Sequence, residues 1–325
     1  MSGRDETSGR IVPRARRGRV LLLCLLAIAI GHSDAVARSE HSPCVVGLRV
    51  ESVIEIDSEP GPSRPEGVAI DHHGRVLVAD TGNHRVLVLA TSGEVVDEFG
   101  GYGWQEGRLD GPTDVAIYPG FFVYVLDGGN RRVLRFDVEG DFVDLVLGED
   151  EIGTPVGIEV GKAGGLLIVD DDRQAILTYS QFEEETEAIG RFGVDHGGLV
   201  RPADVAVGPS REVAVADPGR GVVAVFDEFG SPLRTFASGD SLKPDDVLFD
   251  ETGCLFVADA ENGRVLAFSP DARGPTATLG RRSAGEGFSP SGLALAPDGS
   301  LVVLDREGGR VLAVAIERGG CTRPE

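Results

Sequence analysis

Positive charge is what this sequence has least of. Its 31 Lys and Arg face 53 Asp and Glu, a formal net charge of -22. Nucleic-acid phosphates are gripped by Lys and Arg, and no basic stripe runs through the chain, so a nucleic-acid partner is excluded. Long apolar runs are missing too. The longest, Val20 to Ile30, has 11 residues, whereas a membrane-spanning helix needs about 20. No G-x-S-x-G elbow, P-loop or paired-Cys metal motif occurs. Aromatic residues make up 6%, there is one Trp, and the single Met is the first residue. What is present is Val, Leu and punctuation. With 46 Gly and 18 Pro and a hydrophobic share of 41%, the composition suits many short strands and tight turns around a real core.

The N-terminus reads as an export signal. Residues 10–19 hold five Arg, the 11-residue apolar run follows, and Ala35-Val36-Ala37 forms an A-x-A cleavage site. Cleavage is expected near Ala37, which makes the mature chain secreted or periplasmic; an uncleaved segment would instead anchor it to a membrane. Cys24 lies in the apolar run without the small residues of a lipobox. The expected organisation is a signal peptide at 1–37, a short lead at 38–47, the folded domain at 48–318 and a tail at 319–325.

Internal repetition is the strongest signal. Pro recurs at Pro65, Pro112, Pro155, Pro202, Pro244 and Pro290, each opening a short apolar segment such as PEGVAI or PTDVAI. Asp recurs at Asp80, Asp127, Asp170, Asp217, Asp259 and Asp305, each closing a second one such as VLVAD or LFVAD. The Pro-to-Asp spacing is 15 residues in all six copies, while the Asp-to-next-Pro spacing runs 32, 28, 32, 27 and 31. A rigid half and an elastic half make one structural unit with variable loops. Each unit reads as four strands, A to D. Strands A and B are nearly continuous apolar runs, as strands covered on both faces should be. One such sheet cannot bury both faces alone, so the expected fold is an all-β, six-bladed β-propeller with four-stranded antiparallel blades.

The last repeat has strands A, B and C and stops near Ile316. The segment Leu48 to Ile56 has strand character but no A, B or C of its own. It is therefore expected to complete the last blade and close the ring, removing a free sheet edge. Cys44 precedes that segment and Cys321 follows the last strand C, so the two flank the turn that closure leaves cut. A Cys44–Cys321 disulfide would replace it; across so long a loop it is worth about 4–5 kcal/mol in the chain-entropy model. Export makes the oxidation plausible. Cys254, at the start of a strand B, reads as a buried thiol.

The unit P-x-G-[VI]-A-[VI]…V-A-D-x-x-N-x-R-V resembles the NHL repeat, best in residues 65–89 and 244–268. The N-x-R element stands as Asn83-His84-Arg85, Asn130-Arg131-Arg132 and Asn262-Gly263-Arg264; the last copy keeps Arg310 but has Gly308, and the third and fourth copies lack both residues. Six copies of one Asp argue for architecture. Each is expected to accept hydrogen bonds from its own turn, with Arg85, Arg132, Arg264 and Arg310 within reach of it.

In propellers the D–A links and B–C turns share one face, around the channel mouth. The longer links carry Tyr102, Trp104, His196 and Arg282, which are the expected ligand contacts. Two residues after each Pro stand Gly67, Asp114, Gly157, Asp204, Asp246 and Gly292. Asp114, Asp204 and Asp246 would crowd the mouth; they could cap turns, hold Ca²⁺ through oxygen ligands, or serve as acid and base. The resemblance extends distantly to the propeller of the peptidyl-hydroxyglycine amidating lyases, which implies three zinc-binding His. Here His84 occupies a similar place and His196 shares its face, but no third His does, and the mature chain has no Met. The reading is a monomeric, extracytoplasmic binding or scaffolding module for a protein, peptide or small ligand. The alternative is a metal-dependent hydrolase or lyase in the channel mouth.

Overall fold

The computed structural model describes residues 43–161, 164–180, 185–190, 198–237 and 242–320. Among them the strands form six four-stranded antiparallel sheets, with only a 3-10 turn at Thr81–Asn83 and one helical turn at Arg281–Ala284. The chain is an all-β, six-bladed propeller. Blade 1 shows the plan: strand A is Pro65–Ile70, B is Val76–Asp80, C is Arg85–Leu89 and D is Val95–Gly100. The 15-residue frame is a pairing register, since Pro65 lies opposite Asp80, Pro112 opposite Asp127, Pro155 opposite Asp170 and Pro290 opposite Asp305.

The continuous apolar runs are explained by where alternate side chains go. In strand B of blade 1, Val76 and Val78 pack into a cluster shared with the last blade, while Leu77 and Ala79 pack into one shared with blade 2. Successive residues of a strand face opposite ways, so a sheet with neighbours on both sides needs apolar residues at every position. Among the described residues there are six such clusters, each drawn from two adjacent blades. The core is thus a ring of interfaces. A fully buried Val or Leu contributes about 1.5–3 kcal/mol relative to exposure, and every blade draws that gain from both of its neighbours.

The last blade orders as the N-terminal strand Pro43–Glu55, then Arg310–Gly320, Leu301–Asp305 and Pro290–Leu295. The pairing runs from Cys44 opposite Gly319 to Glu55 opposite Arg310. Both strands extend beyond the expected Leu48 and Ile316, because each supplies the other's hydrogen-bonding edge. Cys44 therefore lies inside the strand, and Val45 is fully buried between the last two blades. Pro43 lies opposite Gly320; Cys321 and the signal segment lie outside the described residues. Cys254 is fully buried at the start of its strand B.

Candidate functional site

The recurrent Asp are fully buried, and among the described residues Asp80, Asp127, Asp170, Asp217 and Asp305 each tie the B–C turn to the D–A link entering the blade. Asp127 accepts hydrogen bonds from the Asp110 backbone N–H at 2.6 Å, from Asn130 Nδ2 at 2.8 Å and from Arg132 Nε at 2.8 Å. Asp80 does the same with Ser63, Asn83 and Arg85. Arg264 and Arg310 donate to Asp259 and Asp305 at 2.8 and 2.9 Å. In the third blade an Arg three residues after the Asp takes over; in the fourth, among the described residues, only backbone N–H groups serve it. Arg173 reaches Asp170 through both its backbone N–H and its guanidinium. Arg220 gives Asp217 its backbone N–H.

This lattice fixes the rim. The link from Gly101 to Gly111 is held by donors from the next blade's turn: Asn130 Nδ2 to Gly103 O at 2.9 Å, Arg132 to Trp104 O at 2.8 Å, and Arg132 to Arg108 O at 2.8 Å. Leu109, fully buried, pins the link from below. Several of its glycines take positive φ, Gly101 at 85° and Gly107 at 71° among them, a backbone region glycine enters at little cost. With the backbone held, the rings of Tyr102 and Trp104 are left 72% and 55% exposed. The Arg132 guanidinium lies 4.9 Å from the Trp104 ring centre, and Tyr102 meets the edge of His84 at 4.8 Å. The His84 Nδ1 accepts from the Gly111 N–H at 2.9 Å. Arg282 lies exposed on the helical turn of a different link, and His196 lies outside the described residues.

None of those three described contacts lines the mouth itself. The mouth is a cavity of about 440 Å³, within the usual size of a ligand site. One ring of its lining is the residue after each Pro: Glu66, Thr113, Val156, Ala203, Asp245 and Ser291. Asp171 and Arg306, each directly after a recurrent Asp, join it, as does Arg201. Deeper lie Asp114, Asp204 and Asp246, which also line a narrower cavity of about 180 Å³ beneath, together with Glu159 and apolar side chains.

The three deep Asp clasp neighbouring blades. Asp114 accepts the Ile158 N–H of the next blade at 2.9 Å, and Asp204 accepts the Val247 N–H at 2.9 Å; Asp246 accepts that of Leu293. The alternating glycines make room. A Cβ on Gly67 would sit 2.6 Å from the Asp114 Cα, and one on Gly157 would sit 2.9 Å from Asp204 Oδ1. Burial raises all three carboxyls, and their own proximity adds to it: the Asp204 charge raises Asp114 and Asp246 well above the usual range. Asp204 is pushed to about 7 and Glu159 to about 8, again chiefly by burial. At the rim burial also raises Glu66, Asp245 and Asp171, against the pull of Arg306 on the first two and of Arg201 on the third. Among the described residues no group of three or more His, Cys, Asp or Glu is arranged to hold a metal ion.

Sequence reasoning singled out the deep Asp and the rim aromatics but missed Glu66, Asp171, Arg201, Asp245 and Arg306. The signal was available. Four of them sit one step from a frame residue, after the Pro or after the Asp, and they are unlike one another from blade to blade where the frame is constant.

Comparison with known proteins matches residues 63–89 to the family described as NHL repeat. The human "E3 ubiquitin-protein ligase NHLRC1" is 27% identical over 230 residues, covering 65% of this chain and 57% of that protein. The bovine "NHL repeat-containing protein 2" is 32% identical over 125 residues, covering 31% of this chain and 17% of that protein. The chain thus spans little more than half of the first relative and less than a fifth of the second. Among solved structures, one titled "Streptogramin B lyase structure" superposes with a TM-score of 0.60 at 13% identity, over 82% of this chain and 98% of the other. At that identity the likeness is one of fold.

Proposed function

We propose that this six-bladed β-propeller, similar to NHL-repeat proteins, acts outside the cytoplasm as a protein-binding module through the face carrying the D–A links and B–C turns. One observation carries the reading: Tyr102 and Trp104 are held out to solvent on a link whose backbone is clamped by Asn130 and Arg132. Exposed aromatics on a rigid support make strong contacts because little side-chain freedom is lost on binding. The relatives add support, since their matched repeats occupy part of longer proteins, as a recruited binding module would. The arginine-rich, then apolar, then A-x-A pattern of residues 1–37 supports export of the module, and the Pro43–Gly320 pairing beside Cys44 supports a Cys44–Cys321 disulfide as the seal of its ring.

The test compares mature wild-type bait with a Tyr102→Ala/Trp104→Ala variant in quantitative affinity purification. A partner held by wild type and weakened at least about tenfold by the variant is expected, the effect of losing one hot-spot side chain, with the melting temperature unchanged. Equal recovery by the two baits contradicts the reading. N-terminal sequencing of the exported chain is expected to begin at Arg38, and a chain retained in the cytoplasm and starting at Met1 contradicts the location.

A further inference from the structure

The mouth cavity is a second site, independent of the aromatic rim, and its chemistry is two-signed. At the rim, Arg201 and Arg306 line it, and among the described residues neither guanidinium makes a hydrogen bond or an ion pair. The Nε of Arg306 is buried with no hydrogen-bond partner. At the floor, Asp246 Oδ1 is likewise buried without a partner, although Asp246 accepts the Leu293 N–H. A buried donor and a buried acceptor left open on one cavity are unusual, because buried polar groups are nearly always satisfied. Each is costly unless something occupies the space between them.

The surroundings narrow what that something is. A simple anion suits the two guanidiniums but meets Glu66, Asp171 and Asp245 beside them. A simple metal cation finds no three carboxyls arranged to hold it among the described residues and leaves the Arg306 Nε unanswered. A molecule with a positive and a negative end answers both. We propose that the channel mouth binds a small zwitterion of the amino-acid type, its ammonium on the deep Asp114, Asp204 and Asp246 and its carboxylate on Arg306 and Arg201. Guanidinium–carboxylate and ammonium–carboxylate contacts are the stronger, charge-assisted hydrogen bonds. Gly67, Gly157 and Gly292 bring neighbouring backbone and the Asp114 and Asp204 carboxyls so close that no side chain fits at those three places, which leaves the carboxyls as the polar side chains of the deep ring.

Isothermal titration of the mature chain tests this with three probe sets: free L-amino acids, their methyl esters, which lack the carboxylate, and their N-acetyl forms, which lack the ammonium. At least one free amino acid is expected to bind saturably at one per chain. Masking either charge, or substituting Arg306→Gln or Asp246→Asn, is expected to weaken it at least about tenfold. Arg201→Gln, at an exposed position, gives the same loss with no effect on folding and covers the case in which an inner variant does not fold. No binding by any free amino acid at about 10 mM, a level that detects even millimolar affinity, overturns the proposal. So does an ester or an N-acetyl form that binds as well as its parent, or undiminished binding by Arg201→Gln.

Discussion

The molecule contains two rings of Asp, the outer fully buried and the inner partly so, and they do opposite things. The outer ring, Asp80 to Asp305, occurs in all six blades; each member accepts from its own turn, and all but Asp259 also accept from the link above it among the described residues. The inner ring, Asp114, Asp204 and Asp246, occurs in three blades and is answered by backbone amides of neighbouring blades, with no guanidinium bonded to it. The same side chain is architecture in one ring and unspent chemistry in the other. What separates them is the supply of positive charge: Arg132 lies 2.8 Å from Asp127, while the inner carboxyls face one another. Burial raises Asp127 as well, but Asn130 and Arg132 oppose the rise there.

The largest expected effect breaks the outer ring. Arg132→Ala leaves Asp127 as a buried carboxylate without its partner, in a pair whose side chains are 8% and 0% exposed. A loss of about 3–5 kcal/mol is expected from denaturant unfolding, together with loosening of the link that carries Trp104. A loss below about 1 kcal/mol, the value of a surface pair, would erase the contrast between the rings.

The inner ring and Glu159 beside it should make stability depend on pH. Asp204 titrates near 7 and Glu159 near 8 in the fold, against ordinary values of 3.8 and 4.5. Between those values the folded chain holds more protons than the unfolded one. Stability is therefore greatest on the acid side and falls as pH rises from about 4 to about 8. Asp204→Asn keeps an oxygen to accept the Val247 N–H and removes the charge. It should flatten that fall and melt above wild type at pH 8. A variant that melts below wild type at pH 8 would make the inner ring a second structural ring.

Smaller effects sharpen the picture. Arg173, whose side chain is 37% exposed, serves Asp170 in the third blade; Arg173→Ala is expected to cost only about 1 kcal/mol or less, as half-exposed pairs do. Trp104→Ala, at a side chain with 55% exposure, is expected to leave the melting curve within about 0.5 kcal/mol of wild type, the usual range for surface substitutions. A large destabilisation would mean that the ring anchors the link rather than being displayed by it.

The blades were readable from the chain because the Pro–Asp frame is a pairing register, and registers repeat when the structure does. The ends were less readable. Nothing local in Pro43 to Gly47 says strand; those residues extend because residues 317–320 lie beside them, a partner some 270 residues away in sequence. The third blade looked degenerate by letter, yet the Arg173 guanidinium supplies Asp170 from a shifted position. A turn needs donors at a place in space, and two sequence positions reach it. The mouth was half legible for a related reason. Asp114, Asp204 and Asp246 stand out as copies, whereas Arg201, Arg306 and Glu66 occur singly, so their place beside the frame marks them and their letters do not.

The whole account depends on a ring sealed by its first strand, and amide hydrogen exchange of the mature chain tests that most directly. Amides of residues 48–55 and 311–316, paired across the seam, are predicted to exchange as slowly as those of Val76–Asp80 in the fully buried strand of blade 1, because opening the seam opens the ring. Exchange at the seam orders of magnitude faster than in that strand, at the rate of a fraying terminus, would contradict it.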